Sequence, residues 1–216
     1  TGSNVLADYA SIRSGSYQKL LKSYYNKDKE AVTDAVKNSV TSTSVAKDST
    51  KELTRMEKAG ENLKKSVDEL ITQGTKSVFK QESAKNSDGT FTKKYDTDAI
   101  YKKVNAFVEN YNTAIEETED ANTKRIARTS EQMTTLTNAY KNQLNKIGIT
   151  VKSDNTLSID KDTFEKADMD TVKNLFNGTG SYAYSVGVKA SMIDYYAQNE
   201  ASKSNTYAET GYYNYI

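Results

Sequence analysis

The stretch STKELTRMEKAGENLKKSVDELITQG, Ser49 to Gly74, decides the fold. Ser49, Leu53, Met56, Gly60, Leu63, Val67 and Leu70 recur at alternating spacings of four and three. That is the heptad signature of a helix with one apolar seam, and it predicts a helix over about 44–73 that packs against partners of similar length. Gly60 interrupts the seam with a residue lacking a side chain, which admits a close neighbour. Gly74 is the expected C-terminal stop, because αL geometry at a helix end favours glycine. The chain has no Pro, so every stop must come from Gly or from polar turns.

The same spacing recurs downstream. Ile100, Val104, Phe107, Tyr111 and Ile115 predict a helix over about 97–121, capped by Asp96 or Thr97. Ile126, Thr129, Met133, Leu136, Tyr140, Gln143 and Ile147, with Leu144 beside them, predict another over about 123–147. Between the first two, Ser77-Val78-Phe79 and Thr90-Phe91-Thr92 flank Asn86-Ser87-Asp88-Gly89, which reads as a hairpin or loop joining two helices. Beyond Gly148 the apolar period becomes two. Ile147, Ile149 and Val151 alternate, as do Leu157 and Ile159, with Ser153-Asp154-Asn155 between them as a turn. Asp160 or Asp162 then caps a short helix carrying Phe164. A further turn carries Val172, Leu175 and Phe176 and stops at Asn177-Gly178. Over 181–200, Val186, Ala190, Ile193 and Ala197 share one helical face. Upstream, Tyr17, Leu20, Leu21 and Tyr24 suggest one helix, and Ala31, Val32, Ala35, Val36 and Val40 a second.

The expected fold is mainly α: an antiparallel bundle or coiled coil of long helices with a small β-hairpin and short capping helices. Three segments are expected: 1–43 as an N-terminal helical or irregular piece, 44–180 as the stem with its hairpin cap, and 181–216 as a C-terminal helix with a Tyr-rich tail. They are expected to form one continuous structural unit.

Composition narrows function. The 216 residues include no Cys and no His, which removes thiolate and imidazole catalysis, disulfides and the usual zinc or haem ligands. With 30 Lys and Arg against 29 Asp and Glu, the net charge of +1 argues against bulk binding to nucleic acid or anionic membrane, while leaving room for a local basic patch. Leu, Ile, Val and Phe make up 38 residues, a thin supply that suits helices sharing narrow stripes. Sixteen Tyr partly replace them, since Tyr buries a large ring and keeps one polar end. No apolar run is long enough to span a bilayer, and no secretory signal is read in Thr1–Ala10.

Several motifs invite chemistry and yield to simpler readings. Ser-x-x-Lys occurs at Ser16–Lys19 and Ser44–Lys47, and Ser153-Asp154-Asn155 matches a serine-acyltransferase triplet, yet no Lys-Thr-Gly follows. Asp and Asn are also what a hairpin turn asks for. Glu116, Glu117, Glu119 and Asp120 could hold a hard cation, but they sit beside Lys124, Arg125 and Arg128 without EF-hand spacing. Asp160 and Asp162 resemble a glycosidase pair, though Asp at a helix start caps it. Gly178-Thr179-Gly180 lacks the Lys-Ser/Thr of a phosphate loop, and Asn177-Gly178-Thr179 is a sequon only in a eukaryotic secretory setting. No catalytic, cofactor-binding or metal-binding residue is expected.

Two segments carry a family resemblance. VNAFVENYNTAIEE, Val104 to Glu117, holds a Phe-Val-x-x-Tyr-Asn core. NKIGITVKSDNTLSIDKDTFEKA, Asn145 to Ala167, followed by DTVKNLFNG, Asp170 to Gly178, holds Ile-Gly-Ile, a turn, Thr-Leu-Ser-Ile-Asp and a helix ending in Leu-Phe. In order and spacing the region 97–178 resembles the C-terminal region of the bacterial flagellar filament cap protein family, the second hook-associated protein. The family is usually longer and carries β-rich domains where this chain has only residues 75–95. The resemblance implies a non-enzymatic structural protein outside the cell, on the flagellum or secreted, that associates through helices with itself or with flagellin-like proteins. Leu53, Met56, Leu63, Val67, Phe107, Tyr111, Met133, Leu136 and Tyr140 are the expected packing or interaction residues, with an intramolecular core as the role for most. The alternative is an adhesin-like module at the cell surface, using Tyr-rich surface on carbohydrate or a host protein.

Overall fold

A computed structural model describes residues 46–85 and 87–210, with side chains at 84 and 204–210 left undescribed. The chain divides into two units after Ser44, and the described residues belong to the second, Val45–Ile216. The two helices expected upstream of Ser44, the first Ser-x-x-Lys and the Tyr-rich tail from Tyr212 lie outside the described residues.

Among the described residues there are seven α-helices and two two-stranded antiparallel sheets, a mainly α fold with small hairpins. Helix α1 is Thr50–Ile71. A 3-10 turn, Gly74–Lys76, leads to β1, Gln81–Lys85, and β2, Phe91–Tyr95. Then come α2, Thr97–Thr118, α3, Lys124–Ala139, and α4, Lys141–Lys146. Strands β3, Ile149–Val151, and β4, Leu157–Ile159, precede α5, Lys161–Glu165, α6, Met169–Phe176, and α7, Tyr182–Thr210.

Local chemistry sets most boundaries. Ser49 caps α1 in a reciprocal box with Glu52, so it stands outside the seam on which its spacing placed it. The helix therefore starts six residues later than expected, and Gly74 opens the 3-10 turn instead of capping α1. Of the two candidates for α2, Asp96 is the cap, accepting from the Ala99 amide. Asp160 likewise caps α5 and Asp168 caps α6.

The long helices pack antiparallel in register. Between α1 and α2, Asn110 donates to Ser66, Lys103 pairs with Glu69, and Arg55 pairs with Glu117. Between α1 and α7, Gly187 meets Val67 and Gly60 meets the backbone of Ala190 and Asp194. Between α3 and α7, Thr137 shares a hydrogen bond with Tyr182, and Lys189 donates to Gln132. Helix α7 thus lies between α1 and α3, and its face of Val186, Ala190, Ile193 and Ala197 is fully buried.

The expected helix over 123–147 is two helices. The first ends at Ala139, and Tyr140 (φ −92°, ψ 1°) joins it to α4. A straight helix drifts about 20° per heptad against a 3.5-residue repeat. The buried stripe follows that drift through Ile126, Thr129, Ser130, Met133 and Thr137, so Leu136 and Tyr140 move to a half-buried edge and Gln143 is exposed.

Candidate functional site

The region carrying the family resemblance folds as one packed assembly on α2. Asn112, the last residue of the Phe-Val-x-x-Tyr-Asn core, places its side-chain amide against Leu157 in β4. Its Nδ2 donates to the Leu157 carbonyl at 2.8 Å, and its Oδ1 accepts from the Leu157 amide at 2.7 Å. One side chain thereby mimics a missing strand neighbour and fixes the register of the hairpin on the helix. Farther back along α2, Tyr101 meets Phe164 of α5 edge-on at 5.7 Å, and Lys161 lies over the Tyr101 ring. The hairpin and α5 therefore run along the flank of α2; they were expected to close the end of the coil. Gly148 makes the reversal before β3 possible. It has φ +80°, and a Cβ there would sit 3.0 Å from Asp160 O, Phe164 N and Thr163 Cβ.

Beneath this assembly lies an aromatic core. Phe107 meets Phe176 at 5.4 Å and Tyr182 at 5.9 Å, both edge-on, and Tyr140 lies 5.3 Å from Tyr182. The Tyr182 hydroxyl pairs with Thr137, and burial raises its pKa well above the ordinary value. The Tyr111 hydroxyl is buried without a hydrogen bond of good geometry. Burial pushes it up to about 12, and the nearby Thr137 hydroxyl offsets only part of that.

Seven of the nine expected seam residues are in the interior: Leu53, Met56, Leu63, Val67, Phe107, Tyr111 and Met133 are all buried. Only Leu136 and Tyr140 reach the surface, each half-buried. In the closed bundle, then, most of the seam already has its partner within the same chain.

Several polar residues whose partners no local pattern announces hold the unit together. Asp48, 4% exposed, accepts from the backbone amides of Asn122 and Thr123 and from the Thr123 hydroxyl. Thr123 makes no side-chain cap of its own, so the N-terminus of α3 is capped by a carboxylate from ahead of α1. Burial pushes the Asp48 carboxyl up, but hydrogen bonds from Thr123 and Asn122 outweigh it and hold the group below its usual range. Asn177, the sequon residue, is engaged at the other end of α1, donating to the Leu70 carbonyl and accepting from Gln73. Thr118 and Ser130 share a buried hydrogen bond across α2 and α3.

The motifs that suggested chemistry take structural roles. Asp154 accepts from the amide and hydroxyl of Thr156, and Asn155 has φ +63°, so Ser153-Asp154-Asn155 is the β3–β4 turn. Glu117 is paired with Arg55 at 2.8 Å. Among the described residues no three acidic side chains are grouped to hold a metal ion, and no helix is long and apolar enough to cross a membrane.

What fold and site define together is a class: a mainly α, multi-helix bundle with small antiparallel hairpins. No family model, curated protein or solved structure matches the chain, so no particular family is assigned to it.

Proposed function

We propose that the chain is a non-enzymatic structural protein of the flagellar cap or hook-associated kind, acting outside the cell by helix–helix association with itself or with flagellin-type helices. The observation that carries this is the joint between Asn112 and Leu157. The two segments that resemble the cap family meet through residues 45 positions apart, the Asn that ends the helical motif and the Leu that begins β4. An accidental likeness of one helical stretch and one hairpin would not require that pairing. Association through helices draws further support from α7. Its pairing with α1 reaches the Lys47 amide opposite Glu200, and its backbone continues as helix to Thr210.

The adhesin-like alternative needs a Tyr-rich surface. Tyr111 and Tyr182 are buried, Tyr140, Tyr184, Tyr195 and Tyr196 are half-buried, and the tail lies outside the described residues. No single observation favours that alternative.

The test is location. Antibodies against the chain are used on sheared flagella, culture supernatant, cell wall and cytosol of the cells that make it. Label at filament tips or junctions is the expected result. Label confined to the wall or supernatant, with none on filaments, would overturn the proposal.

A further inference from the structure

We propose that a cleft between the loop after α1, the base of the β1–β2 hairpin and α6 binds a small anionic oxygen ligand, a phosphate or a carboxylate. The cleft has a volume of about 340 Å³. Lys80, Lys93 and Lys173 line it, and no Asp or Glu does. These cations come from three separate elements, so their meeting is made by the fold and is unlike a run of Lys on one solvated helix face. In a chain whose net charge is only +1, this is a local excess of one sign. A concave surface lined by one sign of charge focuses its field on the space it encloses.

Two of the three cations have spare capacity. Lys80 is paired with Glu82 at 3.0 Å. Lys93 and Lys173 have no carboxylate within ion-pair distance among the described residues. Lysines that line one cleft from separate elements repel one another, and an anion held among them relieves that repulsion and gains charge-assisted hydrogen bonds. The neutral part of the cleft is already shaped. Gln73 donates to Asn177, Asn177 is anchored to the end of α1, and the Phe79 amide donates to Ser77. Phe79 itself is 2% exposed, which fixes the backbone from which Lys80 projects. Neither the resemblance to cap proteins nor the helical seam enters here, so the site stands or falls independently of the proposed function.

The probes are glucose 6-phosphate, glucuronate and glucose, titrated into the 15N-labelled full chain and followed by amide chemical shifts. Glucose 6-phosphate or glucuronate should give saturable shifts centred on Gln73, Lys93 and Lys173, weakening as salt is added. Binding of only one of the two supports the site and names its source as phosphate or carboxylate. The double variant Lys93→Gln/Lys173→Gln should weaken binding by about tenfold or more with thermal unfolding unchanged. Lys85→Gln, outside the cleft, should leave affinity as it was. Equal binding of glucose, shifts that spread without saturation over many lysines, or undiminished affinity in the double variant would overturn the proposal.

Discussion

Gly60 sets the spacing of α1 and α7, and Gly60→Ala measures how tightly. A Cβ on Gly60 would lie 2.7 Å from the Ala190 carbonyl oxygen and 2.8 Å from the Asp194 amide nitrogen. Both are backbone atoms of α7, so neither can rotate away, and the helices must part. In an open helix the same change would stabilise by about 1 kcal/mol, because Ala is the better helix former. Forcing an extra methyl into a close-packed contact costs about 1–3 kcal/mol, and a clash with two backbone atoms belongs at the upper end. The expected net effect is a loss of about 1–2 kcal/mol. For a unit of this size each kcal/mol moves the midpoint by about 2–4 °C, so Tm should fall by about 2–8 °C. Circular dichroism melts of the full chain read this directly. Gly180→Ala is the control, since nothing lies within 4 Å of the Cβ it would add. An unchanged or raised Tm for Gly60→Ala would show that α1 and α7 do not cross closely at this point.

Three further substitutions probe separate parts of the fold. Met133 is fully buried and Leu136 only half-buried, so Met133→Ala should cost about 2–5 kcal/mol and Leu136→Ala distinctly less; equal losses in urea unfolding would restore the strict heptad in place of the drifting stripe. Asn112→Ala leaves the Leu157 amide and carbonyl without partners and should destabilise the hairpin by about 1–3 kcal/mol. Hydrogen exchange at Ile149–Ile159 should quicken, and wild-type protection there would refute the joint. Asp194 is held above its ordinary pKa chiefly by burial, with Glu57 and Glu61 adding repulsion and Gln198 and Lys64 easing it. A raised folded pKa means that its contribution is complete below the unfolded value and is lost as pH rises through the folded one. Asp194→Asn, neutral throughout, should therefore melt higher than wild type at pH 7, with the gap closing as the medium is made acid; a gap that persists at the acid end would assign the effect to something other than this carboxyl.

Elements with a clean period and a polar cap could be read from the residues. Helix α2 starts where Asp96 places it, and the β3–β4 strands fall at Ile149–Val151 and Leu157–Ile159 as their alternation requires. What stayed hidden depends on polar or small residues in the core. Thr137 is fully buried because Tyr182 satisfies its hydroxyl, a partner 45 positions away that no local pattern announces. The break at Tyr140 carries no Gly or Pro to mark it. The apolar face of α7 is legible, but its central place is not, because its approach to α1 is made at Gly60 and Gly187 and against the backbone of Ala190 and Asp194, where side-chain periodicity is silent. Asn112 was in view within its motif, but the partner it needed lay on another element.

The position of α7 also bears on the order in which the molecule can come together. The first helix of this unit finds its main partner in the last, and the link from Lys47 to Glu200 joins residues 153 positions apart. Closing so long a loop must precede the reward for closing it, which slows folding relative to bundles of sequential neighbours. During synthesis α1 and α3 wait with their α7-facing sides uncovered until α7 itself has been made. A polypeptide ended ahead of Tyr182 would include every hairpin and short helix and still lack the helix that lies between α1 and α3.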